Sequence, residues 1–260
     1  MIKREIQNSI LADFKRKKVI VLLGARQVGK TTLLLSLQSD KERVLSLNCD
    51  NIDDRLLLEA RTSTELKYLL SSYDMAFIDE AQRVKNIGLT LKMIGDLKLD
   101  TQIVVTGSSS FDMANEINEP ATGRLIEYNL YPFSLAELAA DTSEREEKRL
   151  LENRLIYGLY PEVVTEPADA KRTLMSLTNN YLYKDLFSYK GLKKPDVIQK
   201  LVRALALQLG SEVSYNELSN LLGIDKETVE NYICLLEKCF VVFRLDSFSR
   251  NLRNEIKKGK

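Results

Sequence analysis

Gly24-Ala25-Arg26-Gln27-Val28-Gly29-Lys30-Thr31-Thr32 fits the pattern GxxxxGK[ST], entered from KVIVLL at 18–23 and left through LLLSL at 33–37. A short β-branched run suits a strand buried on both faces, and the leucine-rich run suits a helix. Between them, glycines permit backbone turns and close approaches that a Cβ would block. Successive N–H groups can then face an anion, with the helix N-terminus favouring negative charge. The whole segment from Gly24 to Thr32 is the expected phosphate cradle. Lys30 is expected to reach β- and γ-phosphate oxygens, and the Thr31 hydroxyl to ligate Mg2+. An ordinary glycine turn ahead of a helix is the bland alternative, and the matching flanks argue against it.

Working outward, Ile6, Ile10, Leu11 and Phe14 have helical spacing over 5–17, and RVLSLN at 43–48, MAFID at 75–79 and TQIVVTG at 101–107 read as strands. Helical patterns over 54–71 and 87–98 separate them. Strands alternating with helices predict an α/β domain: a parallel sheet flanked by helices. From Leu135 the pattern becomes helical, over 135–157 and 168–190, and DTSEREEKR at 141–149 reads as a solvated helix face or loop. A further helix over 195–209 precedes a helix-turn-helix cadence at 215–239 that runs into FVVFRL, a candidate wing strand. The expected organisation is a phosphate-loop core at 1–134, a helical segment at 135–194, a winged helix at 195–248 and a basic tail at 249–260.

The strand at 75–79 ends in Asp79 and Glu80, adjacent carboxylates that packing alone does not favour at the tip of a buried strand. Beside the phosphate loop, Asp79 is expected to hold the magnesium shell and Glu80 to orient and polarise water. The competing role is a helix cap for the AQRVKN that follows. Thr106 and Ser108, at the tip of the next strand, are both candidates to sense a γ-phosphate, against a plain serine-rich turn. Arg124 follows the loop FDMANEINEPAT as a candidate arginine finger, supplied in cis or by a neighbouring subunit, with a solvated or ion-paired arginine as the alternative. Arg26 is a second, lesser candidate.

Composition narrows the chemistry. The 38 basic and 37 acidic side chains leave a net charge of +1, so no global field draws the chain to polyanions. There is no histidine, which excludes Ser-His-Asp and Cys-His nucleophiles, HExxH zinc sites and imidazole switches. Cys49, Cys234 and Cys239 form no CxxC pair, and no apolar run approaches a membrane span, so a cytoplasmic location is expected.

GARQVGKTTLL, FIDEAQ, VVTGSSS and ATGRLIEYNLYPFSLAEL, taken in order, resemble a bacterial and archaeal family of AAA-type P-loop ATPases, with signatures approximating GPRQVGKTTLL, FxDEIQ and TGSS. The likeness continues through YGLYPEV, YLYKDLF and the segment at 214–242, so it covers nearly the whole chain. It implies an AAA-like core, a helical segment, a winged helix and a preference for ATP, on which the phosphate loop itself is silent. Ala25 stands where the family often has proline, a harmless change where only backbone groups are needed. Members usually continue into a nuclease-like domain, and this sequence ends at Lys260, where that domain is expected to begin.

Magnesium-dependent ATP hydrolysis coupled to conformational change is therefore the expected function, with an ATP-switched DNA-binding regulator as the alternative. Around the second helix of the helix-turn-helix, Asp225, Glu227, Glu230 and Glu237 outnumber Lys226 and Lys238, and Asn231 is the sole amide. That balance opposes a polyanion, so DNA is not the favoured partner. A helicase lacks room for a second α/β domain after 135, and a GTPase lacks NKxD. Self-association into a homo-oligomer is left open.

Overall fold

A computed structural model describes residues 1–38, 43–108, 123–182 and 195–245. The chain divides into two compact units, Met1–Ser176 and Leu177–Lys260.

The first unit is built on a five-stranded sheet: β1 (Val19–Leu23), β2 (Val44–Asn48), β3 (Met75–Asp79), β4 (Gln102–Gly107) and β5 (Leu125–Asn129). Their order is β2-β3-β4-β1-β5, and every neighbouring pair is parallel. All residues of β1 and β4 are buried, as are the first four of β3. That two-sided burial is why Val19–Leu23, Met75–Ile78 and Ile103–Val105 read as apolar runs rather than alternations, each large side chain contributing about 1.5–3 kcal/mol. From β1 the chain leaves toward β2, and from β4 it leaves the other way, past β1 to β5. Such a reversal opens a crevice at the carboxyl ends of the strands.

Helices α1 (Ile6–Asp13), α2 (Lys30–Leu37), α3 (Ile52–Leu56), α4 (Ser63–Leu70) and α5 (Ile87–Asp96) flank this sheet. The helical pattern over 54–71 resolves into α3 and α4. The break falls at Ala60, which is left-handed, and Thr62 restarts the helix through a reciprocal capping box with Glu65. Strand β5 is an addition to the sequence expectation. It is short and half-exposed, and the residues leading to it, 109–122, lie outside those described.

Helices α6 (Leu135–Asp141), α7 (Glu144–Arg149), α8 (Leu151–Tyr157), α9 (Pro161–Thr165) and α10 (Ala170–Ser176) complete the unit. The expected division at 134–135 is thus not where the two units part. The long helix expected over 135–157 is three short ones, because Ser143 caps a fresh start and Gly158 ends the run with a positive φ. The charge-dense stretch is also not wholly solvated. Glu147 is buried and takes two hydrogen bonds from Arg154, at 2.9 and 3.0 Å.

The second unit opens on a π-helical turn, Leu177–Leu182, followed by α11 (Pro195–Leu207), α12 (Tyr215–Leu222) and α13 (Lys226–Lys238). Left-handed Gly223 stops α12, and Asp225 caps α13 by accepting from the Thr228 N–H at 2.7 Å. Leu218 of α12 and Val229, Ile233 and Leu236 of α13 are buried. Among the described residues, 240–245 form no strand. A wing needs a paired neighbour, and the residues that follow, with the basic tail at 249–260, lie outside those described. No helix among the described residues is long and apolar enough to cross a membrane.

Candidate functional site

The loop leaving β1 is held at both ends. The Gly24 N–H donates to the Gly107 carbonyl at 3.2 Å, and a Cβ on Gly24 would overlap the carbonyl oxygen of Leu130. Leu130 is itself fixed, its N–H donating to Leu23 at 2.7 Å. Glycine at 24 is therefore required first by protein packing. Gly29, at φ 92°, is the left-handed residue from which α2 starts. Lys30 follows, 5% exposed, its ammonium donating to the carbonyls of Gly24 and Ala25 at 2.9 Å each. Thr31 and Thr32 are exposed on the first turn of α2.

At the neighbouring strand tip, the Asp79 carboxylate takes the Thr31 hydroxyl at 2.7 Å on one oxygen and the Thr106 hydroxyl on the other. Thr106 is fully buried and accepts from the Glu80 N–H at 3.1 Å. Glu80 is left-handed, at φ 53° and ψ 41°, which is uncommon without glycine. Its side chain makes no capping bond to the short 3-10 helix Ala81–Arg83. Instead Oε2 accepts from Gln82 Nε2 at 2.5 Å, and the same nitrogen donates to Ser108 Oγ at 2.9 Å. Cys49, buried just past β2 with its N–H on the Asp79 carbonyl at 2.9 Å, has its thiol pushed up to about 12, by burial first and then by Asp54 and Asp79.

Lys30, Thr31, Asp79, Glu80, Thr106 and Ser108 thus meet at one end of the sheet. The two sensor candidates divide the strand tip, Thr106 on Asp79 and Ser108 on Gln82. Arg124 is not with them. It precedes β5, whose Leu125 lies opposite Val19 at the start of β1, and it pairs with Asp96. At about 3.3 Å per residue, the length of β1 separates it from the loop. Arg26 is half-buried within the loop.

Sequence reasoning missed Arg4. Its buried guanidinium donates to the Val28 carbonyl at 2.9 Å, to Glu137 Oε1 at 3.0 Å and to the Tyr131 carbonyl at 2.5 Å, and it lies 4.8 Å over the Phe133 ring. Glu137 in turn caps α6 through Ser134 and accepts from the Glu5 N–H at 2.9 Å. Beside this knot a cleft of about 360 Å³ opens, lined by Ile2, Gly29, Thr32, Phe133, Pro161 and Thr165 among others. It is continuous with the phosphate loop through Gly29 and Thr32. Its size falls within the range of small-molecule sites.

Residues 16–139 match the family model of an AAA domain. The first unit carries an AAA domain. Residues 148–260 match a domain of unknown function (DUF8612). The chain is 27% identical to an uncharacterized protein of Haemophilus influenzae, over 95% of this chain and 67% of that one. It is 26% identical to the uncharacterized protein MJ1637 of Methanocaldococcus jannaschii, over 94% of this chain and 60% of that one. With the mycobacterial relatives, the chain spans 54% to 67% of the length of the curated proteins it matches. Among solved structures, the Walker-type ATPase PABY2304 of Pyrococcus abyssi shares the fold. Its TM-score is 0.60 at 16% identity, covering 92% of this chain and 90% of that one. The match to the AAA domain spans all five strands of the parallel sheet and the loop after β1.

Proposed function

We propose that the AAA domain binds Mg·ATP and hydrolyses it, and that the nucleotide cycle moves the chain through Arg4 and Glu137. The carrying observation is Asp79 holding hydroxyls from both the loop helix and β4, at the helix start where Lys30 buries its ammonium on loop carbonyls. Among the described residues no cage of three acidic or thiol side chains gathers. One hydroxyl and one carboxylate are the hard-oxygen set that suits a magnesium ion retaining most of its water. Thr31 and Asp79 would hold that ion, which when bound neutralises charge on the phosphates.

The chain's own groups supply the rest. Loop N–H groups and the start of α2 bind the phosphates, and Lys30 transfers its ammonium from loop carbonyls to phosphate oxygens. Glu80 accepts a proton from the attacking water as the bond to the terminal phosphorus forms and the bridging P–O bond breaks. The cleft beside Phe133 and Pro161 is the place for the base, adjoining the loop and bounded by apolar surface. Arg124 reaches a terminal phosphate only from a second copy of the chain. A DNA-switched role is not advanced, since the outward residues at the start of α13 are Asp225, Lys226 and Glu227.

Steady-state phosphate release and calorimetry test this reading. Wild type should bind Mg·ATP and release phosphate. Lys30→Ala should do neither, and Glu80→Gln should bind with unchanged affinity while turnover falls about 100-fold or more. No heat of binding to Mg·ATP by the wild type would overturn it.

A further inference from the structure

We propose that Gln82 is a positioning residue that ties the tip of β4 to the water-activating carboxylate, so that Ser108 aims Glu80 through one side-chain amide. The proposal rests on the ATPase reading of the same site.

The amide of Gln82 is fully used. One hydrogen of Nε2 goes to Glu80 Oε2 at 2.5 Å and the other to Ser108 Oγ at 2.9 Å, while Oε1 accepts from the Ser108 N–H at 3.4 Å. Reversing the amide would set its oxygen against the Glu80 carboxylate, so the chemistry fixes which end is which. The backbone at Glu80 is already committed. Its left-handed turn is pinned by Thr106 and brings residue 82 back toward residue 80. A strained backbone at a strand tip is a cost that persists where a side chain must be aimed. What is left to vary at Glu80 is the direction of the carboxylate, and Gln82 holds that.

Ser108 is 6% exposed, and by accepting from Gln82 it keeps its own hydroxyl proton for an oxygen ahead of the strand. A terminal phosphate oxygen is such an acceptor. Donation to it would polarise the Ser108 oxygen and strengthen its bond from Gln82, because linked hydrogen bonds reinforce one another. The state of the phosphate would then reach Glu80 through two side chains, Ser108 and Gln82. Packing alone does not explain this placement, since each polar atom of the amide is spent on Ser108 or Glu80.

The test measures kcat and KM for Mg·ATP, with Kd by calorimetry, on the full chain. The proteins are wild type, Gln82→Ala, Gln82→Glu, Ser108→Ala and the Gln82→Ala/Ser108→Ala double variant. Gln82→Ala should lower kcat about tenfold or more, with Kd within about twofold. Gln82→Glu keeps the shape but presents an acceptor to Glu80, and should lose at least as much. The double variant should be no slower than the slower single, because both changes cut one bridge. Wild-type kcat in Gln82→Glu, or losses that multiply in the double variant, would overturn the proposal. Should Gln82→Ala not fold, Gln82→Glu with and without Ser108→Ala completes the same cycle. A wild type that binds and turns over no nucleotide overturns the ATPase reading itself, and with it this one.

Discussion

The two ends of the same five strands are held together in different ways. At the amino end the ion pairs are exposed, Lys17 with Asp100, Arg43 with Asp74 at 3.1 Å and Arg124 with Asp96, while buried Thr101 and Gln102 bond only to backbone carbonyls. The Arg43 guanidinium holds the Asp74 carboxyl below its ordinary range, chiefly through their side-chain hydrogen bond, and Lys17 does the same for Asp100. At the carboxyl end the contacts are shared, and those of Thr106 and Arg4 are buried. Asp79 serves two hydroxyls, Thr106 serves two residues, and Arg4 serves three segments of chain. A surface pair can be lost to water at little cost, whereas a buried shared group strands its partners when removed. The ion pairs of one end can give way to water, and the shared groups of the other hold a fixed geometry.

Paired substitutions sharpen that contrast, and the glycines should separate the ends most. Gly24→Ala drives a Cβ into a backbone carbonyl locked by a strand ladder, so it should cost more than about 3 kcal/mol in chemical denaturation and abolish nucleotide binding. Gly95→Ala meets the Arg124 Cβ at 3.0 Å, which a few tenths of an ångström of give in the edge strand relieves, against an overlap at 2.3 Å for Gly24. It should leave a cooperative unfolding transition near the wild-type midpoint. Equal losses would erase the distinction.

Next come the two aspartates that bracket β3. Asp79→Asn should reduce phosphate release about 100-fold or more, while Asp74→Asn should leave it within about twofold. Comparable rates for the two variants would break the comparison at its centre. The ion pairs separate the ends in stability alone, without the chemistry of the site. Arg4→Met leaves the buried Glu137 carboxylate without its cation and should cost about 3–5 kcal/mol, partly recovered by Glu137→Leu. Arg124→Ala should cost about 1 kcal/mol or less, because both partners are open to solvent. Urea titrations of the variants measure each difference.

What was legible in the sequence lay close together along it. Gly24 to Thr31 declares itself by spacing, and Asp79 by ending a buried strand. The helix-turn-helix from Tyr215 to Lys238 has its caps, Ser214 and Asp225, and its stop, Gly223, written in order. What was hidden depends on remote partners. Arg4 meets Glu137 across 133 residues, and nothing near Arg4 announces it. Leu125–Asn129 became a strand because β1 offered an edge, although its own half-exposed pattern is weak. Gln82 read as part of a motif, yet its role comes from Ser108, 26 residues on. Arg124 shows the converse: the register of β5 sets it at the start of β1, the other end of that strand from its own chain's loop.

Strand β1 is paired along both sides, with β4 and with β5, and no residue in it faces water. Its amides should be among the slowest in the molecule to exchange with deuterium, since they open only when the sheet itself comes apart. A ligand gripped just past Leu23 hangs from that last-to-open element. Tight occupancy there should raise the melting temperature of the domain and lengthen the dwell time of the ligand together, as two readings of a single event.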